Sequence, residues 1–198
     1  MNSDLKTILG IAAVALTLLG YLPYFYSILQ KKTKPHLYSW LIYALDAFII
    51  FALQITHGAG VGSISVLAVG LMCLIVICLT LRNKEKLDIT YADKVFSVLA
   101  LVALILWLFV QQPLLSSMLI MIVDIMGFAP TVRKSWKKPY SETPVFYAIN
   151  ILRFTLTIAS IQEYSIITTL YPMAWLIGNT FFTFMLIFRR RVVQHAHT

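Results

Sequence analysis

Long apolar stretches, separated by short polar connections, occupy almost the whole of this chain. They fall at about 5–28, 37–56, 61–81, 92–111, 114–134, 145–161 and 166–188. A transmembrane helix needs about 20 mostly apolar residues, and each stretch is close to that length. The pattern therefore predicts an all-α membrane protein with seven transmembrane helices and the lipid bilayer as its main partner.

The composition agrees with this pattern. Of the 198 residues, 60% are hydrophobic and only 12% are charged. A soluble domain of this length carries far more charge on its surface. The polar residues left between the apolar stretches are also too few to form a soluble domain of their own.

Most of the sixteen Lys and Arg residues form four short clusters, each at the end of an apolar stretch. The clusters are Lys31, Lys32 and Lys34; Arg82, Lys84, Lys86 and Lys94; Arg133, Lys134, Lys137 and Lys138; and Arg189, Arg190 and Arg191. The connections at 57–60, 111–113 and 161–164 contain no Lys or Arg. Because basic loops stay in the cytoplasm, this alternation predicts a cell (inner) membrane protein with its N-terminus outside and its C-terminus cytoplasmic. It also explains the net charge of +8 without a nucleic-acid partner.

Features of the first half of the chain recur in the second half. At one common spacing, the recurring pairs are Gly20 with Gly127, Pro23 with Pro130, and Lys31 with Lys138. We predict two three-helix repeats, residues 1–90 and 113–198, joined by a linker transmembrane helix within 91–112. An odd number of helices in the linker places the two repeats parallel to each other.

Four polar side chains lie deep in the predicted spans. Asp46, Asp124 and Arg153 are at the midpoints of the second, fifth and sixth, and Asn179 is near the middle of the seventh. An ionisable group there costs about 2.5 kcal/mol or more, so its presence requires a reason. We expect a central cluster in which Arg153 pairs with one acid or bridges both.

Two interpretations of this cluster remain open. The charges either hold helices together, which polar contacts in membranes do modestly, or form a midplane site for a solute or proton. Two acids against one base leave one carboxylate free for a cation or a proton. Tyr43 and Asn150, each three residues before a central charge, are further candidates for the same pocket.

Two other groups of residues have both a functional and a structural interpretation. Pro23 and Pro130 weaken their helices locally, and the repeated position favours a hinge over a simple bend. The aromatic residues Tyr38, Tyr171 and Trp175 are expected at the membrane interface, where Tyr and Trp gather.

The layout resembles the PQ-loop superfamily, which includes SWEET sugar transporters, SemiSWEETs and PnuC-type vitamin transporters. The likeness rests on the three-plus-one-plus-three helices and on a proline near the cytoplasmic end of each repeat's first helix. The family's Pro-Gln is Pro23-Tyr24 and Pro130-Thr131 here. In SWEETs, an Asn on the third helix of a repeat lines the sugar pocket, and Asn179 matches that position.

The resemblance implies a transporter or facilitator of a small polar solute, sugar- or vitamin-like, that works by alternating access. The alternative is a ligand-binding receptor or sensor on the same fold, as in the KDEL receptors. An enzyme is not expected, because no nucleophile or metal-ligand spacing stands out, and no cofactor is implied. Relatives form trimers, so the resemblance is compatible with a homo-oligomer.

Overall fold

The computed structural model describes residues 2–31, 35, 37–82 and 91–195, and these residues contain helices and no strand. Its seven α-helices are α1 (Ser3–Leu29), α2 (Leu37–Thr56), α3 (Ile64–Arg82), α4 (Tyr91–Leu108), α5 (Pro113–Lys137), α6 (Pro144–Ser160) and α7 (Ile166–His195). Short 3₁₀ turns at Gly60–Ser63 and Pro139–Ser141 precede α3 and α6. The all-α prediction is confirmed.

Five of these helices contain segments long and apolar enough to cross a membrane. The segments are Ser3–Leu29, Ser39–Thr56, Gly60–Arg82, Pro113–Lys137 and Ile166–Val193. The chain is therefore a membrane protein. The other two helices have shorter apolar runs, Val98–Leu108 in α4 and the whole of α6. At 1.5 Å per residue α6 is about 25 Å long, slightly short of a hydrocarbon core of about 30 Å. For α4 and α6, crossing of the membrane stays a prediction.

Helix α3 packs against both α1 and α2, and helix α7 packs against both α5 and α6. Helix α1 also packs along α6, whereas α4 packs mainly against α5. A cluster of buried aliphatic side chains from α2, α3, α4 and α5 fills the interior. Its members are Ala47, Ile49, Ile50, Leu53, Val66, Ala103 and Ile120. This packing fixes α2, α5, α6 and α7 around one interior space.

Two connections that lack Lys and Arg are bonded to each other. The backbone N–H of Gln162 donates to the carbonyl of Ala59 at 3.1 Å, and that of Glu163 donates to Gly58 at 2.9 Å. We call residues 58–62 and 161–163 the neutral-side clasp. Its backbones are so close that a methyl group on Gly62 would lie 2.9 Å from Cα of Ile161. The two connections are thus held in direct contact at this end of the bundle.

Further contacts support the clasp. Lys6 Nζ, from α1, donates to the carbonyl of Gln162 at 3.0 Å. Just inside it, the buried hydroxyls of Ser65 and Thr157 share a hydrogen bond of 2.9 Å between α3 and α6. Because these two hydroxyls are out of reach of water, their hydrogen bond is costly to break without a replacement.

Helix α7 contains a proline, Pro172, within its first two turns. A proline in a helix removes the N–H that would bond to the carbonyl four residues earlier. That carbonyl, on Thr168, accepts a hydrogen bond from Gln54 Nε2 of α2 at 3.3 Å instead. Gln54 and Thr168 are both buried. The side chain of α2 therefore satisfies the backbone group that Pro172 leaves free.

Candidate functional site

A cavity of about 330 Å³ lies between α2, α5, α6 and α7, with parts of α1 and α3 in its wall. All six residues that the sequence predicts for a solute site line it, namely Tyr43, Asp46, Asp124, Asn150, Arg153 and Asn179. The structure thus brings together side chains that come from four helices. Their role in binding stays a prediction.

Asp46 is the most isolated charge in the cavity. Its side chain is 2% exposed, and neither carboxylate oxygen has a hydrogen-bond partner. It lies on the inward face of α2, in helical register with the buried residues Ile42, Ile49 and Ile50. A buried carboxylate without a partner is costly, so it does not serve to hold helices together.

Asp124 lies on the inward face of α5, close to the buried residues Ile120 and Val123. Its Oδ2 accepts a hydrogen bond from Nε1 of Trp175 on α7 at 3.4 Å. Asp46 of α2 and Asp124 of α5 line the same cavity. The cavity wall therefore contains two carboxyl groups from different helices.

Arg153 is held by its own helix. Its Nε donates to Asn150 Oδ1 at 3.1 Å, and its guanidinium carbon lies 3.9 Å from the centre of the Phe154 ring. Asn150 is in turn fixed by donating to the carbonyl of Phe146 at 3.1 Å. Within the described residues the guanidinium makes that single hydrogen bond, which leaves its two terminal amino groups for the cavity.

The predicted ion pair is wrong. In the described part of the chain, no nitrogen of Arg153 lies within 4.0 Å of a carboxylate oxygen of Asp46 or Asp124. The physical reason is that Asn150 and Phe154 hold the guanidinium beside α6. The acids remain on the α2 and α5 walls of the cavity. Charges of opposite sign therefore share the cavity without neutralising each other by contact.

The remaining two predicted residues complete the wall. Asn179 is 4% exposed and donates from Nδ2 to the carbonyl of Trp175 at 2.6 Å, within α7. Tyr43 packs edge-to-face against Trp40, with ring centres 5.9 Å apart. Its hydroxyl faces Gly127 of α5, where an added methyl would lie 3.7 Å from it.

Tyr171 and Trp175, which the sequence predicts at the membrane interface, both line the cavity. The spacing of these residues in the sequence indicates that they share a face with Asn179. Tyr171, Trp175 and Asn179 follow each other at four-residue intervals and so share one face of α7. The side chain of Tyr38 lies outside the described residues. Other cavity residues that the sequence did not indicate are Tyr21, Thr131, Phe146 and Phe154.

A second cavity, of about 400 Å³, shares Arg153 and Asn150 with the first and continues along α1 to Tyr24 and Glu142. Glu142 belongs to the connection between α5 and α6, next to the basic residues at 133–138. This second cavity therefore extends from Arg153 towards the end of the bundle that carries the basic residues at 133–138, whereas the clasp joins two connections at the other end.

Several predicted features fall partly outside the described residues. Among the basic clusters these are Lys32, Lys34, Lys84 and Lys86. Helix α1 continues through Pro23, and α5 continues through Pro130, whose side chain is also outside them. The hinge role of the two prolines stays a prediction.

The fold and cavity define the class of protein as a helical membrane protein with a charged interior site. Comparison with known proteins adds no relative, since no family model, curated protein or solved structure matches the chain significantly.

Proposed function

We propose that this protein transports a small polar solute through the cavity by alternating access. The observation that carries the proposal is a cavity with ionisable side chains, deep in an apolar bundle, that continues towards one end while the clasp joins two connections at the other. A transporter needs a midplane site that is open to one side at a time. The unpartnered carboxylate of Asp46 supports a ligand at that site, because burying it serves no contact within the protein.

We also propose two parallel three-helix repeats and membership of the PQ-loop superfamily. The packing supports the repeats, because α3 lies against α1 and α2 as α7 lies against α5 and α6. Positions in the two repeats also correspond, since Asp46 and Arg153 are separated by the same number of residues as Pro23 and Pro130. In this arrangement the solute binds between the repeats. The N-terminus is outside the cell membrane and the basic loops are cytoplasmic.

Alternating access can be tested by asking from which face of the membrane position 131 is labelled. Thr131 is half-buried in the cavity wall, so a Thr131→Cys variant reports when reagent reaches the site. A Cys78→Ser background removes the exposed native thiol and leaves the buried Cys73. We expect a membrane-impermeant maleimide to label Thr131→Cys from both faces of the membrane, fastest from the face with the basic loops.

Three matched proteins control this experiment. Lys137→Cys marks the face with the basic loops and Gln112→Cys marks the opposite face, since both positions are exposed. The Cys78→Ser parent shows any labelling of Cys73. Labelling of Thr131→Cys from one face alone, however long the exposure, contradicts alternating access and favours a receptor that opens to one side.

A further inference from the structure

The cavity keeps one basic and two acidic groups apart within a volume of about 330 Å³. Aromatic rings connect Asp124 to Arg153 in a series of contacts. Trp175 donates to Asp124, and its ring is nearly parallel (7°) to that of Phe154, with centres 6.5 Å apart. The other neighbour of Phe154 in this series is the guanidinium of Arg153, 3.9 Å from the ring centre. The rings therefore help to prevent an internal ion pair.

Each charged end offers groups that are not used within the protein. Both oxygens of Asp46 are enclosed and have no hydrogen-bond partner, and the terminal amino groups of Arg153 make no hydrogen bond within the described residues. An ammonium group on a ligand satisfies the first, and a carboxylate on a ligand matches the second in the two-pronged geometry that arginine favours. An aromatic face beside the ammonium adds a cation–π attraction.

Other solute classes match less of this arrangement. An uncharged sugar leaves both charged ends without a counter-charge, and a buried polar group left unpaired is penalised strongly. A simple cation leaves Arg153 unpaired, and a simple anion leaves Asp46 and Asp124 unpaired. A ligand that carries both charges, separated by a few bonds, pairs with both ends at once.

We propose that the cavity binds a small zwitterion, with its ammonium group at Asp46 and Asp124 and its carboxylate at Arg153. This rests on the proposed function only in naming the transported solute, since binding is measured without transport. The apolar part of the zwitterion packs against Phe154 and Trp175.

Calorimetric titration of the purified full-length protein tests this proposal. The probes are the standard α-amino acids, β-alanine, 4-aminobutyrate, glycine betaine and a set of uncharged sugars. The strongest zwitterion is then compared with two analogues of the same carbon frame, the amine that lacks its carboxylate and the acid that lacks its ammonium group. We expect the zwitterion to bind at least about tenfold more tightly than either analogue.

Two charge-removing variants should separate the two ends. Asp46→Asn is expected to weaken the zwitterion and the amine and leave the acid unchanged, whereas Arg153→Gln should weaken the zwitterion and the acid and leave the amine unchanged. Asp4→Asn and Arg191→Gln are matched controls, because both side chains are exposed and outside the cavity. Should Asp46→Asn fail to fold, Asp124→Asn carries the same expectation.

Two results would overturn the proposal. One is that sugars bind but no zwitterion does, or that nothing in the panel binds. In that case the proposed transport function would still stand if transport of another solute were measured. The other is zwitterion binding that Asp46→Asn, Asp124→Asn and Arg153→Gln all leave unchanged.

Discussion

An Arg153→Leu variant is expected to lose solute uptake almost completely while the protein still assembles in the membrane. Leucine removes the one guanidinium in the described cavity wall, and with it the charged hydrogen-bond donor that the proposed site offers to the solute. Removing one partner of a buried charge interaction costs about 2–5 kcal/mol, which corresponds to a loss of at least about 30-fold in affinity. The measurement is uptake into liposomes that contain equal amounts of folded protein, checked by size-exclusion chromatography.

Asp124→Asn is a second variant for the same uptake measurement, with a smaller expected loss. Asparagine keeps the shape of the side chain and an oxygen that can accept the hydrogen bond from Trp175, so folding should be unaffected. Only the charge is lost, and uptake should fall by at least about tenfold. Arg191→Leu, at an exposed position of α7, is the control and should retain uptake. Normal uptake by both cavity variants would rule out a role of the central charges in transport.

The second large effect is expected from Gly62→Val in the neutral-side clasp. A Cβ at this position lies 2.9 Å from both Cα and Cγ1 of Ile161, and the backbone atom cannot move aside as a flexible side chain would. Overpacking of this kind costs about 1–3 kcal/mol. States of a transporter differ by only a few kcal/mol, so this cost disfavours the clasped state strongly.

The expected result is a change of sidedness. Labelling of Thr131→Cys should become faster from the face marked by Gln112→Cys and slower from the face marked by Lys137→Cys. Uptake should fall, because the clasp must close in each cycle. Gly178→Val is the control, since apart from the neighbouring backbone of its own helix no atom lies within 4 Å of a Cβ added there. Unchanged sidedness in Gly62→Val, with normal folding, would mean that the clasp is not a gate.

The helices could be predicted from the sequence because a bilayer imposes length and apolarity on each span. The predicted second span, 37–56, coincides with α2 (Leu37–Thr56). The clasp could not be predicted, since it depends on backbone hydrogen bonds between two connections that are far apart in the chain. The hydrogen bond from Gln54 to the carbonyl of Thr168 could not be predicted for the same reason.

The positions of the central charges could also be predicted, since an ionisable residue in the middle of an apolar span is expensive wherever it occurs. Asp46, Asp124 and Arg153 do line one cavity. The pairing of the charges could not be predicted. Attraction alone favours contact, but Asn150 and Phe154 fix the direction of the guanidinium. Local contacts of this kind depend on rotamers that a sequence pattern does not specify.

Flux through the purified protein tests the central claim most directly. Full-length protein in liposomes is given radiolabelled solutes from three classes, namely amino acids, sugars and vitamins, with Arg153→Leu liposomes as the matched control. A transporter accumulates at least one solute to equilibrium, exchanges it faster when the same solute is present inside, and loses both activities in Arg153→Leu. Saturable binding of a solute with no flux in either direction would contradict transport and indicate a receptor.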